Sequence, residues 1–284
     1  MKKGENRTMI PKKIPSVKRA IKLVLPYAAV VAYKNRKNEG GSAQDPQMNI
    51  DSIGQLSERE ALNLLSQEGS QIYFGQSAED SVLSRIFLRK KKGFYVDIGA
   101  YHPSKYSNTF LFHKYFNWRG INIDASDNSI RAFNSARPND INLNLAIGSE
   151  EGTQELTVYS QPACNTLSDE NKSMQKKRDQ IKIVDTKTVD VMPLDKVLDE
   201  YLPKKTHIDI LDIDIEGYDL QALETNNWSK YRPSVILIED YTINTEGLSK
   251  SKIHKFMNKI DYRFFSHTYD TSVYVDNKQD VGRV

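Results

Sequence analysis

Gly93-Phe94-Tyr95-Val96-Asp97-Ile98-Gly99-Ala100 is a short apolar run that stops on an acid and a glycine. Downstream, Gly120-Ile121-Asn122-Ile123-Asp124 repeats the pattern of an apolar run ending on an acid. A glycine after the acid lets a ligand approach bare backbone, because no side chain holds it off. An acid at the tip of the next parallel strand can accept both hydroxyls of a ribose. The two runs therefore predict a nucleoside-containing cofactor lying across neighbouring strand ends. Asp97, Gly99 and Ala100 would contact it from one strand and Asp124 from the other.

Outward from these strands the pattern is regular. Upstream, Ser57 with Glu60 forms a capping box for a helix to about Gln67, and Ser77 with Asp80 starts a second helix reaching about Lys90. Downstream come a helix from Ser107 to Phe116, a helix from Ser126 to Ala136 and a third strand from Ile141 to Ile147. Thr153 to Tyr159 alternates like a hairpin strand, with Ile181 to Val184 or Val189 to Val191 as its partner. Pro193 introduces a helix from Leu194 to Tyr201. A strand from Ile208 to Ile215, a helix from Tyr218 to Glu224, a strand from Val235 to Glu239 and a helix from Ser249 to Ile260 follow. Tyr262 to His267 and Ser272 to Val275 close the series; their short link makes them antiparallel. Strands alternating with helices predict an α/β fold. It would be an open seven-stranded, mostly parallel sheet with helices on both faces and an antiparallel C-terminal strand.

The turn after Asp97 reads Gly99-Ala100-Tyr101-His102-Pro103, with no second or third glycine. A pyrophosphate cradle needs those glycines, so a dinucleotide is disfavoured. S-adenosyl-L-methionine has no phosphate and fits one glycine beside an acidic strand end. Asn144 and Ala146, on the predicted third strand, are candidates for the adenine edge. Gln76, Glu79 and Asp80 are candidates for the cofactor's amino-acid end.

Three segments carry a family resemblance: Phe94 to Ala100, Ser107-Asn108-Thr109, and Asp209-Ile210-Leu211-Asp212-Ile213-Asp214-Ile215-Glu216-Gly217. With Ser234 to Glu239, they make the chain resemble the FkbM-type methyltransferases from about Gln76 to Val275. The resemblance implies a Rossmann-like sheet, use of S-adenosylmethionine and methylation of hydroxyl oxygens, often of sugars or natural products. Where that family often has Lys or Ser, this chain has Asp212, which adds a carboxylate near the site.

Asp212, Asp214 and Glu216 alternate at the end of a strand and would share one side if the chain stayed extended. Acids inside a central strand are costly unless paired or used. A sugar hydroxyl is a poor nucleophile, so a base that takes its proton should help methyl transfer. The candidates are His102, Asp214, Glu216 and Glu239, all predicted at the carboxyl edge where open sheets bind ligands. Tyr101, Tyr106, Trp118, Tyr241 and Tyr269 are candidates for stacking on a sugar. His207 and Asp209 read as surface residues, and Lys90-Lys91-Lys92 as a solvated helix end. The same acids with Asp240 could gather Mg²⁺, a hard cation that prefers oxygen. Histidine at ligand spacing is missing, which disfavours zinc. The adopted assignment names no metal ligand.

Composition bounds the rest. The 284 residues are 38% hydrophobic and 27% charged, suited to a globular body. Cys164 is the only cysteine, which excludes an internal disulfide and a thiolate zinc cluster. A reducing, cytoplasmic setting is the simple reading. Residues 1–40 hold eleven Lys/Arg against Glu5 and Glu39, a net +9, so the remainder of the net +3 chain stands at −6. That acidic body has no basic stripe interleaved with aromatics for nucleic acid. We expect residues 1–50 to be a basic N-terminal helix and linker and 51–284 to be the methyltransferase domain. Leu23 to Tyr33 is too short to span a bilayer. Residues 14–37 either lie peripherally on an anionic inner membrane face or pack on the body.

The expected function is S-adenosylmethionine-dependent O-methylation of a carbohydrate or glycan-type acceptor. Two alternatives remain at this point. One is a Mg²⁺-dependent phosphoryl-transfer or hydrolytic enzyme built on Asp212, Asp214 and Glu216, and the other is a non-catalytic membrane-surface scaffold.

Overall fold

Successive residues of β1 (Phe94–Ile98) face opposite ways, and this sorts the apolar side chains into two layers. Val96 and Ile98 belong to one core with Leu194, Val197, Leu223 and Met257, whereas Tyr95 packs into a second core with Leu83, Phe112 and Trp118. The computed structural model describes residues 73–87, 90–168, 181–243 and 247–279. The predicted helix over 57–67, the expected domain boundary at residue 50 and the basic segment 14–37 lie outside the described residues.

The helices start where their first turns can be satisfied. In α1 (Glu79–Phe87) the acids of the first turn reach backwards: Glu79 accepts from the Ser77 N–H at 2.9 Å, and Asp80 from Phe74 at 2.7 Å and Gly75 at 3.2 Å. The predicted Ser77–Asp80 capping box is replaced by these bonds. Next come α2 (Phe110–Phe116), β2 (Arg119–Ile123) and α3 (Asp127–Ala136), the last capped by the Ser126 hydroxyl. Pro193 precedes α4 (Leu194–Tyr201) as predicted. Later, α5 (Asp219–Glu224) follows β7 (Ile210–Ile213), and α6 (Lys252–Lys259) follows β8 (Val235–Glu239) with Ser251 as its N-cap.

With β3 (Ile141–Leu143), β9 (Tyr262–Thr268) and β10 (Thr271–Asp276), these strands make a seven-stranded sheet of order β3-β2-β1-β7-β8-β10-β9. Pairs from β3 to β8 are parallel, and β10 is antiparallel to both β8 and β9. The protein therefore has the predicted mixed α/β, Rossmann-like architecture. The chain builds outward from β1 to one side and then, from β7, to the other. That reversal opens a crevice between the carboxyl ends of β1 and β7.

The predicted strand 141–147 divides. Only Ile141–Leu143 joins the main sheet, and β4 (Ala146–Ile147) leaves to pair with β6 (Ile183–Met192). The two proposed hairpin partners are parts of this one long β6, which runs antiparallel to β5 (Gly152–Tyr159). An accessory three-stranded sheet of order β4-β6-β5 results, which the sequence reading did not anticipate.

Candidate active site

A cleft opens where the strand order reverses, at the carboxyl ends of β1, β2 and β7, the place where open α/β sheets receive ligands. Gly99, Tyr101 and Asp124 line it from the ends of β1 and β2. Asp214, Ile215 and Glu216 line it from the segment after β7, and Leu156, Pro162 and Thr166 from the accessory sheet and its loop. The register Ile98↔Ile123 and Ile98↔Ile213 sets these three strand ends level with one another.

Asp124 is both a wall of this cleft and a tie. One carboxylate oxygen accepts from the Tyr101 N–H and the other from the Ser126 N–H, each at 2.7 Å. Burial pushes its carboxyl up to about 6 against the pull of those two N–H groups. Each oxygen keeps lone-pair capacity toward the cleft. Asn144 supports the same turn by donating its amide to the Asp124 carbonyl at 3.0 Å, and Ala146 lines the pocket.

Gly99 serves a different neighbour from the one expected. Its φ is +80°, and an added Cβ would sit 1.8 Å from the Asp214 carbonyl oxygen. The missing side chain makes room for the chain after β7, which then forms the opposite wall. The N–H groups of Gly99 and Ala100 both go to the Ile123 carbonyl, at 2.9 and 3.1 Å.

Asp97 is buried at 5% exposure, and its carboxylate stands behind the cleft wall. It accepts from the Thr109 hydroxyl at 2.7 Å. Behind Thr109 lies Arg137, 1% exposed, whose guanidinium also reaches Ser107, Tyr95 and the Pro103 carbonyl. The Tyr95 hydroxyl donates to Asp140, and Asn122 supports Asp140 from β2. Gly120 permits this arrangement, since its Cβ would lie 2.1 Å from the Tyr95 ring. Burial raises the Asp97 carboxyl, while Thr109 and Arg137 draw it back. Sequence reasoning missed Arg137, because an arginine after the last turn of a helix reads as a dipole partner. The Ser107–Thr109 motif was its one visible trace.

The acids of β7 and β8 form a second cluster. The extended run ends at Ile213, and Glu216 (φ +52°) and Gly217 (φ +88°) turn the chain, so the three alternating acids do not continue along one strand face. Asp219 stabilises the turn by accepting from the Ile215 and Gly217 N–H groups at 3.1 and 3.0 Å. The Thr166 hydroxyl holds it from the accessory sheet, donating to the Glu216 carbonyl at 2.8 Å. Asp212 is buried beneath, and its Oδ1 has no hydrogen-bond partner among the described residues. Burial raises its carboxyl well above the ordinary range, and Asp97 and Asp214 add to the effect. Asp214 lines the open cleft, yet the protein mass around it and then Glu216 and Asp219 raise it as well. Glu239 accepts from the Tyr241 hydroxyl through Oε1, whereas Oε2 is buried without a partner. Burial, then Asp214, Glu216 and Asp219, push it up to about 11. Asp214, Glu216 and Glu239 each bring one carboxylate oxygen within 4.8 Å of the others, a spacing a divalent cation can bridge.

Several expectations change here. His102 Nδ1 accepts from the Ser104 and Lys105 N–H groups at 3.1 and 3.0 Å, which occupies the lone pair a base would use. Burial, then Lys105 and Arg137, also lower its pKa. Burial and the neighbouring carboxylates favour the protonated form of Glu239 over the carboxylate that a base needs. Trp118 is fully buried and donates its Nε1 to the Lys90 carbonyl, so it cannot stack on a sugar. Asp209 is 4% exposed and pairs with Lys90, so it is not the surface residue expected, whereas Lys90, Lys91 and Lys92 are exposed as expected. Glu79 and Asp80, candidates for the cofactor, spend their carboxylates on the start of α1.

A family model described as the methyltransferase FkbM domain matches residues 97–264, more than half of the chain. No curated protein matches the sequence. Among the described residues, no helix is long and apolar enough to cross a membrane.

Proposed function

Because the chain belongs to the FkbM methyltransferase family, we propose that it is an S-adenosylmethionine-dependent O-methyltransferase acting on a hydroxyl of a carbohydrate or glycan-type acceptor. One observation carries this reading: Gly99 and Asp124 share a single cleft with Asp214 and Glu216. The donor set fits the cofactor. Asp124 can accept from ribose hydroxyls, and the surrounding acids favour a cationic ligand.

The bound cofactor would supply an electrophilic methyl on a sulfonium. What remains for the protein is to position the acceptor and take its proton. Asp214 and Glu216 face the cleft, and the raised carboxyl of Asp214 is a better match for a hydroxyl proton than an ordinary aspartate. The wall formed by Leu156, Pro162 and Thr166 closes the side away from Asp124 and would bound the acceptor. Methyltransferase membership favours methyl transfer over the phosphoryl-transfer and scaffold alternatives, and the spacing of Asp214, Glu216 and Glu239 is the one observation a Mg²⁺-based reading would draw on. Contact of residues 14–37 with an anionic membrane face is part of the proposal, and liposome co-sedimentation tests it.

Calorimetry with S-adenosylmethionine should show one binding event per chain, and Asp124→Ala should weaken it by about 100-fold, the loss of a bidentate, partly buried contact. A folded protein that ignores the cofactor would overturn the reading. Methyl-labelled cofactor with nucleotide sugars and polymeric glycans should then identify the acceptor by a one-methyl mass shift.

A further inference from the structure

We infer that Arg137 is a positioning residue for the cofactor, acting through Thr109 on Asp97 and through Pro103 on the lip of the cleft; the inference rests on the cofactor reading above. The residue follows α3, and its side chain runs under the segment that leaves Gly99. Its Nε and Nη2 both donate to the Pro103 carbonyl, at 3.1 and 2.5 Å, and Nη2 also donates to the Ser107 hydroxyl at 2.9 Å. Nη1 donates to the Thr109 hydroxyl at 2.9 Å. A single side chain therefore grips the segment 103–109 at three points.

The chemistry of the donors fixes the direction of these bonds. A guanidinium has five N–H donors and no acceptor. The Thr109 oxygen must accept from it, and its one proton is then available to Asp97, 2.7 Å away. Ser107, which also accepts from Arg137, stands 3.1 Å from the same Thr109 oxygen. Every proton in the chain points toward the Asp97 carboxylate, which is thereby kept as an acceptor directly beneath Gly99 and Ala100.

Around Asp97 the charged groups are Arg137 and Asp140 on one side, Asp212 in β7 and Asp214 just after it on the other, and Asp124 beyond β2. Arg137 is the cation among these described groups. Its removal leaves the strand ends that frame the cleft with acids alone. Two residues before the segment it grips stands Tyr101, whose N–H is tied to Asp124. Displacing that segment moves the lip against which the cofactor must fit.

The test measures S-adenosylmethionine affinity by calorimetry alongside melting temperature in the full chain. Thr109→Val keeps the shape and removes the hydroxyl, and should weaken binding by about tenfold or more. Thr109→Ser restores the hydroxyl and should stay within about threefold of wild type. Arg137→Lys keeps the charge but loses the fork, and should weaken binding by at least about fivefold even if the valine variant does not fold. Val197→Ala, buried in the opposite core, lowers the melting temperature without touching the lip and should leave affinity unchanged. Wild-type affinity in Thr109→Val or Arg137→Lys, equal losses in the serine and valine variants, or a matching loss in Val197→Ala would overturn the assignment. If the wild-type protein itself does not bind the cofactor, the functional reading fails first and takes this inference with it.

Discussion

Two buried polar clusters sit side by side on one face of the sheet and differ in charge balance: the first sets the Arg137 cation among Asp97 and Asp140, with Asp140 Oδ1 its one unpartnered carboxylate oxygen, and the second holds acids alone. Under the lip, Arg137 finds a partner for each arm of its guanidinium, and Asp97, Thr109, Tyr95 and Asn122 are held in the same web. One strand over, Asp212 and Glu239 each keep a buried oxygen without a partner, beside Asp214. Buried polar groups are normally paired, and exceptions concentrate where a ligand is met. The contrast separates scaffold from working surface. The Arg137 cluster supports the cleft from behind, and of the crowded acids Asp214 and Glu216 line it while Asp212 and Glu239 do not.

The largest test of that distinction is Arg137→Met. Removing a cation buried among Asp97 and Asp140 should cost about 3–5 kcal/mol, read by urea unfolding. A cost under about 1 kcal/mol would place both clusters in the same class. Asp212→Asn should go the other way. Its carboxyl is raised in the folded state, so wild-type stability is fullest below the unfolded value near 3.8 and declines as pH rises toward the folded value. The asparagine variant should therefore gain about 1–2 kcal/mol at pH 8 and nothing near pH 4. A loss at pH 8 would mean that the Asp212 bond with Asn108 outweighs the cost of burying its charge. Thr166→Val, which removes the hydroxyl bond to the Glu216 carbonyl, should cost about 1 kcal/mol and loosen the turn at the cleft. Hydrogen exchange at the Ile215 and Gly217 amides would report it, and unchanged protection would assign the turn to Asp219 alone.

The sequence made the main sheet legible because period-two burial and helix starts are local signals. β1, β8 and α4 fall on their predicted bounds. The accessory sheet was hidden for a physical reason. β6 runs ten residues, mostly exposed, so apolar periodicity marks only its ends, and those ends read as two separate strands. The acids were visible as residue types, but their roles depend on neighbours that pairing brings in. Asp97 looked like a cofactor contact until Thr109 and Arg137 closed around it, and His102 looked like a base until two backbone N–H groups took its lone pair. Gly99 was correctly singled out, although the space it provides is filled by the turn after β7.

The double tie made by Asp124 has a consequence for how this protein changes. By bridging Tyr101 and Ser126, one carboxylate sets the gauge of one rim of the cleft, as a caliper does. The facing rim, Pro162 to Leu167, hangs from a separate sheet attached through the two-residue β4. Variation in that appendage can resize the mouth for a new guest while the calibrated half stays as it is.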